Sequence, residues 1–442
     1  MKIPESPPMI DELFGLVNGA RFFEILIQGV GPAPGGKYRH WDTLRRMQPP
    51  EGLTMEEWWL AQKLARTQMR RWIPLKDKGG TAFHYTLPDP LLMMLHRIDR
   101  EASGHIQLPE PVTNPETRDR YIQNSLMEEA ITSSQLEGAA ATRDVAKEMI
   151  RTGRPPVSVG ERMIINNYRA MQAISQIKGE QLTPELIIHL HRTITEGTLE
   201  PSDGSYLRKF GDGVGVYDDA SNLLLHSPPS ALELTDRMQS ICAFANEDDS
   251  DTFLHPVLKA IILHFWLAYD HPFVDGNGRT ARALFYWSML SKGFWLFEFV
   301  SISTILRKAP AKYGRSFLYT ETDDNDLTYF ILSQLRVICQ AVDQLYAYLQ
   351  KKAQEIRKTS ELLRQSILLN YRQLALLSHA LRHPGMRYTI ESHRVSHRIT
   401  YQTARADLLG LVEKGLLEKR KRSKAFVFTP VPNLTVQLQH LS

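Results

Sequence analysis

Cysteine is nearly absent. Cys242 and Cys339 are the only two in 442 residues, both in apolar helical contexts, and no metal-ligand spacing involves either. That excludes a disulfide framework and a cysteine metal cluster, and leaves core packing in a reducing compartment as the expectation for both thiols. Long apolar runs are lacking as well. No stretch reaches the roughly 18 consecutive apolar residues of a membrane span, and the opening Met-Lys-Ile-Pro-Glu-Ser-Pro-Pro lacks the apolar centre of a secretory leader. The expectation is a cytoplasmic protein with no membrane partner. Charge of one sign is scarce too: 53 Lys and Arg against 49 Asp and Glu leave a formal net charge of +4, so any nucleic-acid contact must come from a local patch. What remains is an ordinary globular composition, 43% hydrophobic and 23% charged, long enough for about two to three domains.

Against that background residues 271–282 stand out. His271-Pro-Phe-Val-Asp275-Gly276-Asn277-Gly278-Arg279-Thr280-Ala281-Arg282 packs an imidazole, a lone carboxylate, two glycines around an asparagine and two arginines ahead of an apolar run. Gly276 and Gly278 are read as positions of positive φ that turn backbone N–H groups inward, and a helix starting near Arg279 would aim its positive end at the same point. Arg279 and Arg282 stand at i and i+3, on one face of the first turn, where both could grip phosphates. His271 and Asp275 complete the set as base and metal ligand.

The stretch resembles the signature of the Fic (Fido-domain) family, histidine-x-phenylalanine-x-acid-Gly-Asn-Gly-Arg-x-x-Arg, at every specified position. The resemblance implies a mainly α fold: a helical core with a β-hairpin flap, here with a small C-terminal winged helix-turn-helix domain and an N-terminal helical accessory region. It also implies transfer of AMP from ATP, with Mg²⁺, to a Tyr, Thr or Ser hydroxyl of a protein target, the chain itself included. In that reading His271 is the catalytic base and Asp275 the metal ligand. Residues 275–282, that is Asp275, Gly276, Asn277, Gly278, Arg279, Thr280, Ala281 and Arg282, hold the nucleotide. Transfer of another phosphate-containing group, or removal of AMP, is the alternative within the fold.

Other segments fall into place around this one. Residues 1–110 are chopped by Pro and Gly and carry helical patterns such as Met55 to Trp72 and Pro90 to Arg100, with Trp41, Trp58, Trp59 and Trp72 as packing residues. A core is expected over 111–358. In it a helix over 115–138 ends Ser133-Ser-Gln-Leu-Glu137-Gly138, with Ser133 and Glu137 on one face and Gly138 as the stop. It resembles the inhibitory motif Ser/Thr-x-x-x-Glu-Gly of the family. Helices are also expected over Arg143 to Thr152, Gly160 to Gln176, Leu186 to Thr195 behind a Thr183-Pro184 start, Val257 to Tyr269, and Tyr329 to about Lys358. His189, His191 and His264 read as ordinary core or surface residues. Residues 207–229 switch to a hairpin pattern, the one strand-like element expected among the helices, and resemble the family's flap, whose edge receives an extended target peptide. Tyr313, in Ala-Lys-Tyr-Gly, resembles the aromatic residue beside the nucleotide base.

Residues 359–442 read differently. One helix over Leu362 to Leu381, a helix-turn-helix pattern over Thr389 to Glu413 and two short strands around Ser423 resemble a winged helix-turn-helix. Gln402, Thr403 and Arg405 would face outward, and Lys419, Arg420, Lys421, Arg422 and Lys424 make the wing basic. Duplex DNA is the partner such a module would take, in a regulator whose Fic core senses nucleotide; oligomerisation or partner docking is the alternative. A homodimer contact that buries Glu137 is a further control point this reading allows.

Overall fold

The computed structural model describes residues 1–102, 115–199, 207–218, 221–247, 253–365, 369–382, 386–422 and 425–439. Contacts divide the chain into two compact units, Met1–Leu108 with Val112–Leu345, and Pro109–Pro111 with Tyr346–Ser442. The fold is mainly helical; among the described residues its strands form three separate two-stranded sheets.

In the larger unit the element that sets the others is the Pro256–Asp270 helix. Almost every side chain on it is apolar, and all but Pro256 and Ala268 are buried, so it is wrapped by neighbours on all sides. The Asn277–Ser291 helix follows after six residues and packs against it, with the His264 and Phe285 ring centroids 6.2 Å apart. Around this pair lie the Pro115–Leu136, Val159–Ile177, Pro184–Thr195, Pro310–Thr322 and Thr328–Gln365 helices. Thr183 caps the Pro184–Thr195 helix, its side chain accepting from Leu186 N, with Pro184 in the first turn.

The opening hundred residues build a second apolar cluster, including Leu13, Ile25, Trp41, Leu44, Trp58 and Trp59. It is tied to the core through buried charge. Lys63 Nζ reaches Asp323 at 2.7 Å and Asp324 at 2.8 Å, and Arg66 Nη1 donates to the Tyr329 hydroxyl at 2.8 Å. One expectation is corrected here. The helical pattern from Met55 stops at Thr67, and Arg71–Lys76 pairs antiparallel with Ala82–Tyr85, so Trp72 stands on a strand and is 58% exposed. Arg70-Arg-Trp-Ile-Pro runs into Pro74, which cannot continue a helix. The flap is therefore not the only strand pair.

The Tyr346–Ser442 unit has its own core, with Leu377, Leu408, Leu411, Leu416 and Phe428 among its fully buried residues. Leu362 to Leu381 is not one helix: the long helix ends at Gln365 and another spans Tyr371–Arg382, after Asn370 takes the capping position, its side chain accepting from Arg372 N and Gln373 N. Ile390–His397 and Tyr401–Glu413 follow, joined through Arg398 at φ 51°, and the strands Leu417–Arg422 and Ala425–Pro430 pair in antiparallel register. Tyr388 bridges Phe428 as a third, one-residue strand. Ser423 and Lys424 of the expected wing lie outside the described residues.

Candidate nucleotide-phosphate site

The Pro256–Asp270 helix delivers His271 at its C-cap, in the left-handed region at φ 45° and ψ 55°. A side chain with a Cβ adopts this conformation only where its surroundings hold it. Arg208 supplies the hold. Its Nε donates to His271 O at 2.8 Å and its Nη2 to Pro229 O at 2.5 Å and Asp270 O at 3.2 Å, while its own backbone N–H donates to Pro272 O at 2.8 Å. One guanidinium thus closes the helix end and ties both ends of the 207–229 segment to it. Replacing Arg208 by alanine strands three buried carbonyls and is expected to cost about 2–4 kcal/mol; the midpoint of thermal unfolding, followed by circular dichroism, should fall accordingly.

Nδ1 of His271 lies 3.2 Å from Ala268 O. A carbonyl can only accept, so Nδ1 carries the proton and Nε2 keeps its lone pair. Burial, the largest influence, pulls the imidazole down to about 4, so it is neutral at physiological pH.

From His271 the chain turns sharply into the Asn277–Ser291 helix. Gly276 makes the turn at φ 84°, with His191 and Thr195 so close that a Cβ would lie 2.7 Å from Thr195 Cγ2. Two expectations change. The helix starts at Asn277, not near Arg279, and Gly278 is helical, so only Gly276 serves as a positive-φ residue. The Asn277 side chain is occupied within the loop, Oδ1 accepting from Phe273 N at 3.0 Å and Nδ2 donating to Phe273 O at 2.8 Å. No side chain caps this helix. The N–H groups of its first turn are therefore free for an anion in front of Gly276.

Both arginines are buried, and they diverge. Arg279 donates to Asp275 Oδ2 at 3.1 Å and Ile194 O at 3.3 Å. Arg282 donates through Nε to Ser133 Oγ at 2.9 Å and through Nη2 to Ser133 O at 3.1 Å and Glu137 Oε1 at 2.8 Å. Burial, the largest influence, pulls the Arg282 guanidinium down, yet Glu137, Tyr313 and Glu129 together outweigh it and the group is held above its usual range. Arg279 Nε and Arg282 Nη1 have no protein acceptor although buried. Two orphaned cationic donors beside an uncapped helix start suit a polyanion.

Tyr313 is part of the same neighbourhood. Its hydroxyl shares a 2.8 Å hydrogen bond with His264 Nε2, and burial pushes it up to about 12 while the Arg282 cation pulls the other way. His264 is a core histidine, as expected, lowered to about 3 by burial. Thr280 and Ala281 are buried within the helix, Thr280 Oγ1 donating back to Gly276 O at 2.9 Å. The hairpin within 207–229 is minimal, Val216 opposite His226 and Tyr217 opposite Leu224. His226 pins it to the core, 2.7 Å from Tyr269 O and 2.7 Å from Glu321 Oε2.

His191, expected to be an ordinary core or surface residue, belongs to this site. Its ring stacks on Phe273 with centroids 3.7 Å apart, and its Nε2 donates to Asp275 O at 2.8 Å, so it supports the whole turn from beneath. A lone histidine on a helix gives no sign of that partner.

Fold and site together define a mainly helical protein in which a buried, neutral histidine, an uncapped helix start and two buried arginines meet beside the exposed carboxylate of Asp275. Residues 181–289 match the family model described as Fic/DOC family. The protein adenylyltransferase Fic of Drosophila melanogaster is 34% identical over 120 residues, 27% of this chain and 22% of that protein. That of Nematostella vectensis is 27% identical over 207 residues, 46% of this chain and 45% of that protein, so the match spans less than half of either relative. A Fic family protein from Desulfovibrio desulfuricans G20 shares the fold with a TM-score of 0.51 at 17% identity, over 79% of this chain and 98% of that one. Residues 181–289 are thus similar to a Fic/DOC-family domain. Among the described residues, no helix is long and apolar enough to cross a membrane.

Proposed function

We propose that the chain is a protein adenylyltransferase, with residues 111–358 as its core, held off by its own Pro115–Leu136 helix. The observation that carries this is the Arg282 guanidinium: it lies on the first turns of the anion-binding helix, yet two of its three nitrogens are taken by Ser133 and Glu137.

ATP would lie with its phosphates over the turn at Gly276, where backbone N–H groups, Arg279 and Arg282 neutralise charge. Arg282, freed from Glu137, would take the γ-phosphate, and Tyr313 would stand beside the base. The hydroxyl oxygen of a target Tyr, Thr or Ser attacks the α-phosphorus, and its proton passes to His271 Nε2. The bond from Pα to the bridging oxygen breaks, and pyrophosphate leaves. Asp275 would hold Mg²⁺: its carboxylate is half-exposed, and Arg279 takes Oδ2 but leaves Oδ1 open. A cation held by this one carboxylate would take its other oxygens from phosphate and water. Bound there, the ion supplies charge neutralisation across the phosphates.

The target would lie along the flap edge as an extended segment, as in strand addition. Exposed Tyr217 on the flap is one hydroxyl of the chain itself within that region. Mass spectrometry of the protein after incubation with ATP and Mg²⁺ tests the reading: an adduct of one adenylyl group supports it, and an adduct of phosphate or phosphocholine mass, or none in any variant, contradicts it.

The Tyr346–Ser442 unit supports a second reading, a winged helix that docks on duplex DNA. Tyr401, Gln402 and Arg405 are exposed on one helix, as are Lys419, Arg420 and Lys421 on the hairpin. Opposing this, Arg420 already pairs with Glu418 at 2.8 Å, and Lys419 lies 4.2 Å over the Phe426 ring. A mobility shift with duplex DNA that weakens steeply with salt, and is lost when Lys419, Arg420 and Lys421 become glutamine, is the expected result; no shift at low salt removes this reading.

A further inference from the structure

Glu129 lies on the Pro115–Leu136 helix, two turns before Glu137, and its carboxylate is buried. Four donors hold it from across the interface. Tyr286 Oη donates at 2.9 Å, Ser301 Oγ at 2.8 Å, Ser303 N at 3.1 Å and Ser303 Oγ at 2.5 Å. None of these partners belongs to the nucleotide turn, and the reaction described above makes no use of Glu129.

Its meaning emerges from the register of the two helices. Glu129 meets Tyr286, Ser133 meets Arg282, and Glu137 lies over Gly278, its Oε1 only 2.2 Å from where a Cβ on that glycine would be. One helix advances by four as the other retreats by four. Residues at i, i+4 and i+8 share a face, so the three contacts form one antiparallel ladder between the Pro115–Leu136 and Asn277–Ser291 helices. Burial grades along it: Ala130 to Ser134 are buried, Gln135 and Leu136 half-buried, and Glu137 and Gly138 exposed. Beyond the ladder the helix ends in a glycine stop, with Gly138 at φ 89° and Ala139 N donating to Ser134 O at 3.0 Å.

We infer that Glu129 is the positioning residue of the inhibitory contact: it locks the helix register that brings Glu137 onto Arg282, and release is confined to the last turn, Ser133 to Gly138, while the helix stays docked. The inference rests on the reading of Glu137 as inhibitor and adds the element that holds it in place. Displacing the whole helix would tear a buried carboxylate from four donors. Fraying the last turn, whose end is exposed, loses the Arg282 pairs, which ATP replaces, and the neutral bonds from Ser134 to Met163 O and Gln135 to Ala141 O.

Glu129→Gln distinguishes this from a purely structural role, because an amide nitrogen would then face donors. Self-labelling with [α-³²P]ATP and Mg²⁺ would be compared in the full chain, Glu129→Gln, Glu137→Gly and the double variant, with hydrogen exchange across 133–138. The expected result is labelling raised about tenfold or more by Glu129→Gln, faster exchange in that turn, and a double variant no different from Glu137→Gly. A folded Glu129→Gln protein no more active than the parent would overturn the inference, as would a double variant far less active than Glu137→Gly. Should Glu129→Gln not fold, Ser301→Ala removes one donor and is expected to shift labelling the same way by a smaller factor; unchanged labelling in it counts against the anchor. If Glu137→Gly itself gains nothing, the inhibitor reading fails, while exchange in 133–138 still reports separately on what Glu129 holds.

Discussion

Replacing Glu137 with glycine is expected to raise self-labelling from ATP by about ten- to a hundredfold, the equivalent of one charge-assisted hydrogen bond of roughly 1.5–3 kcal/mol. The Arg282 side chain is 1% exposed and that of Glu137 28%, so water weakens this pair less than it would a surface pair, without fully excluding it. Removing the carboxylate leaves the buried cation without its counter-charge: Nη2 keeps Ser133 O but loses its carboxylate acceptor, alongside Nη1, which already lacks one. A ligand anion can then take both. ATP binding should tighten for the same reason, which titration calorimetry would detect. Equal labelling in parent and variant would remove the inhibitory role from Glu137.

His271→Asn is expected to lower transfer by about a hundred- to ten-thousandfold, the usual contribution of a general base. Asparagine is chosen over alanine because it tolerates the left-handed backbone that the position requires at φ 45°. A loss in His271→Asn therefore reports on the missing imidazole and not on a collapsed turn. The base works only when neutral. With its pKa drawn down to about 4 by burial, kcat/KM in the Glu137→Gly background should be flat near neutral pH and fall only as pH drops toward 4. Glu137 raises this pKa in the resting chain, so its removal moves the acid limb lower still. The bound triphosphate stabilises the imidazolium and moves the limb of kcat upward. An acid limb of kcat/KM near 6.5 would mean that the base is solvated.

The turn proposed to hold phosphate was legible because its residues are neighbours in sequence: a glycine for the turn, arginines at helical spacing, a histidine at a helix end. Ser133 and Glu137 were legible as a shared face, and the hairpin as a change of period. Harder to read were the residues that hold this machinery in place. Arg208 acts on backbone carbonyls, which leave no pattern in side-chain types. Glu129 looks like any acid on a solvated helix face until Tyr286, Ser301 and Ser303 are brought to it from 157 to 174 residues away. His191 takes its meaning from Phe273 and Asp275, and Gly278 from the Glu137 carboxylate above it, not from its own dihedrals. Local spacing carried the chemistry, whereas the supports depend on tertiary contacts that only folding reveals.

The central claim, a nucleotidyl transfer released when Glu137 leaves Arg282, is tested most directly by the source of the label. The Glu137→Gly chain would be incubated with Mg²⁺ and either [α-³²P]ATP or [γ-³²P]ATP, with the Glu137→Gly/His271→Asn double variant beside it. Covalent label from the α position alone, absent in the double variant, is the predicted result. Label from the γ position, or α label that survives loss of His271, would contradict it.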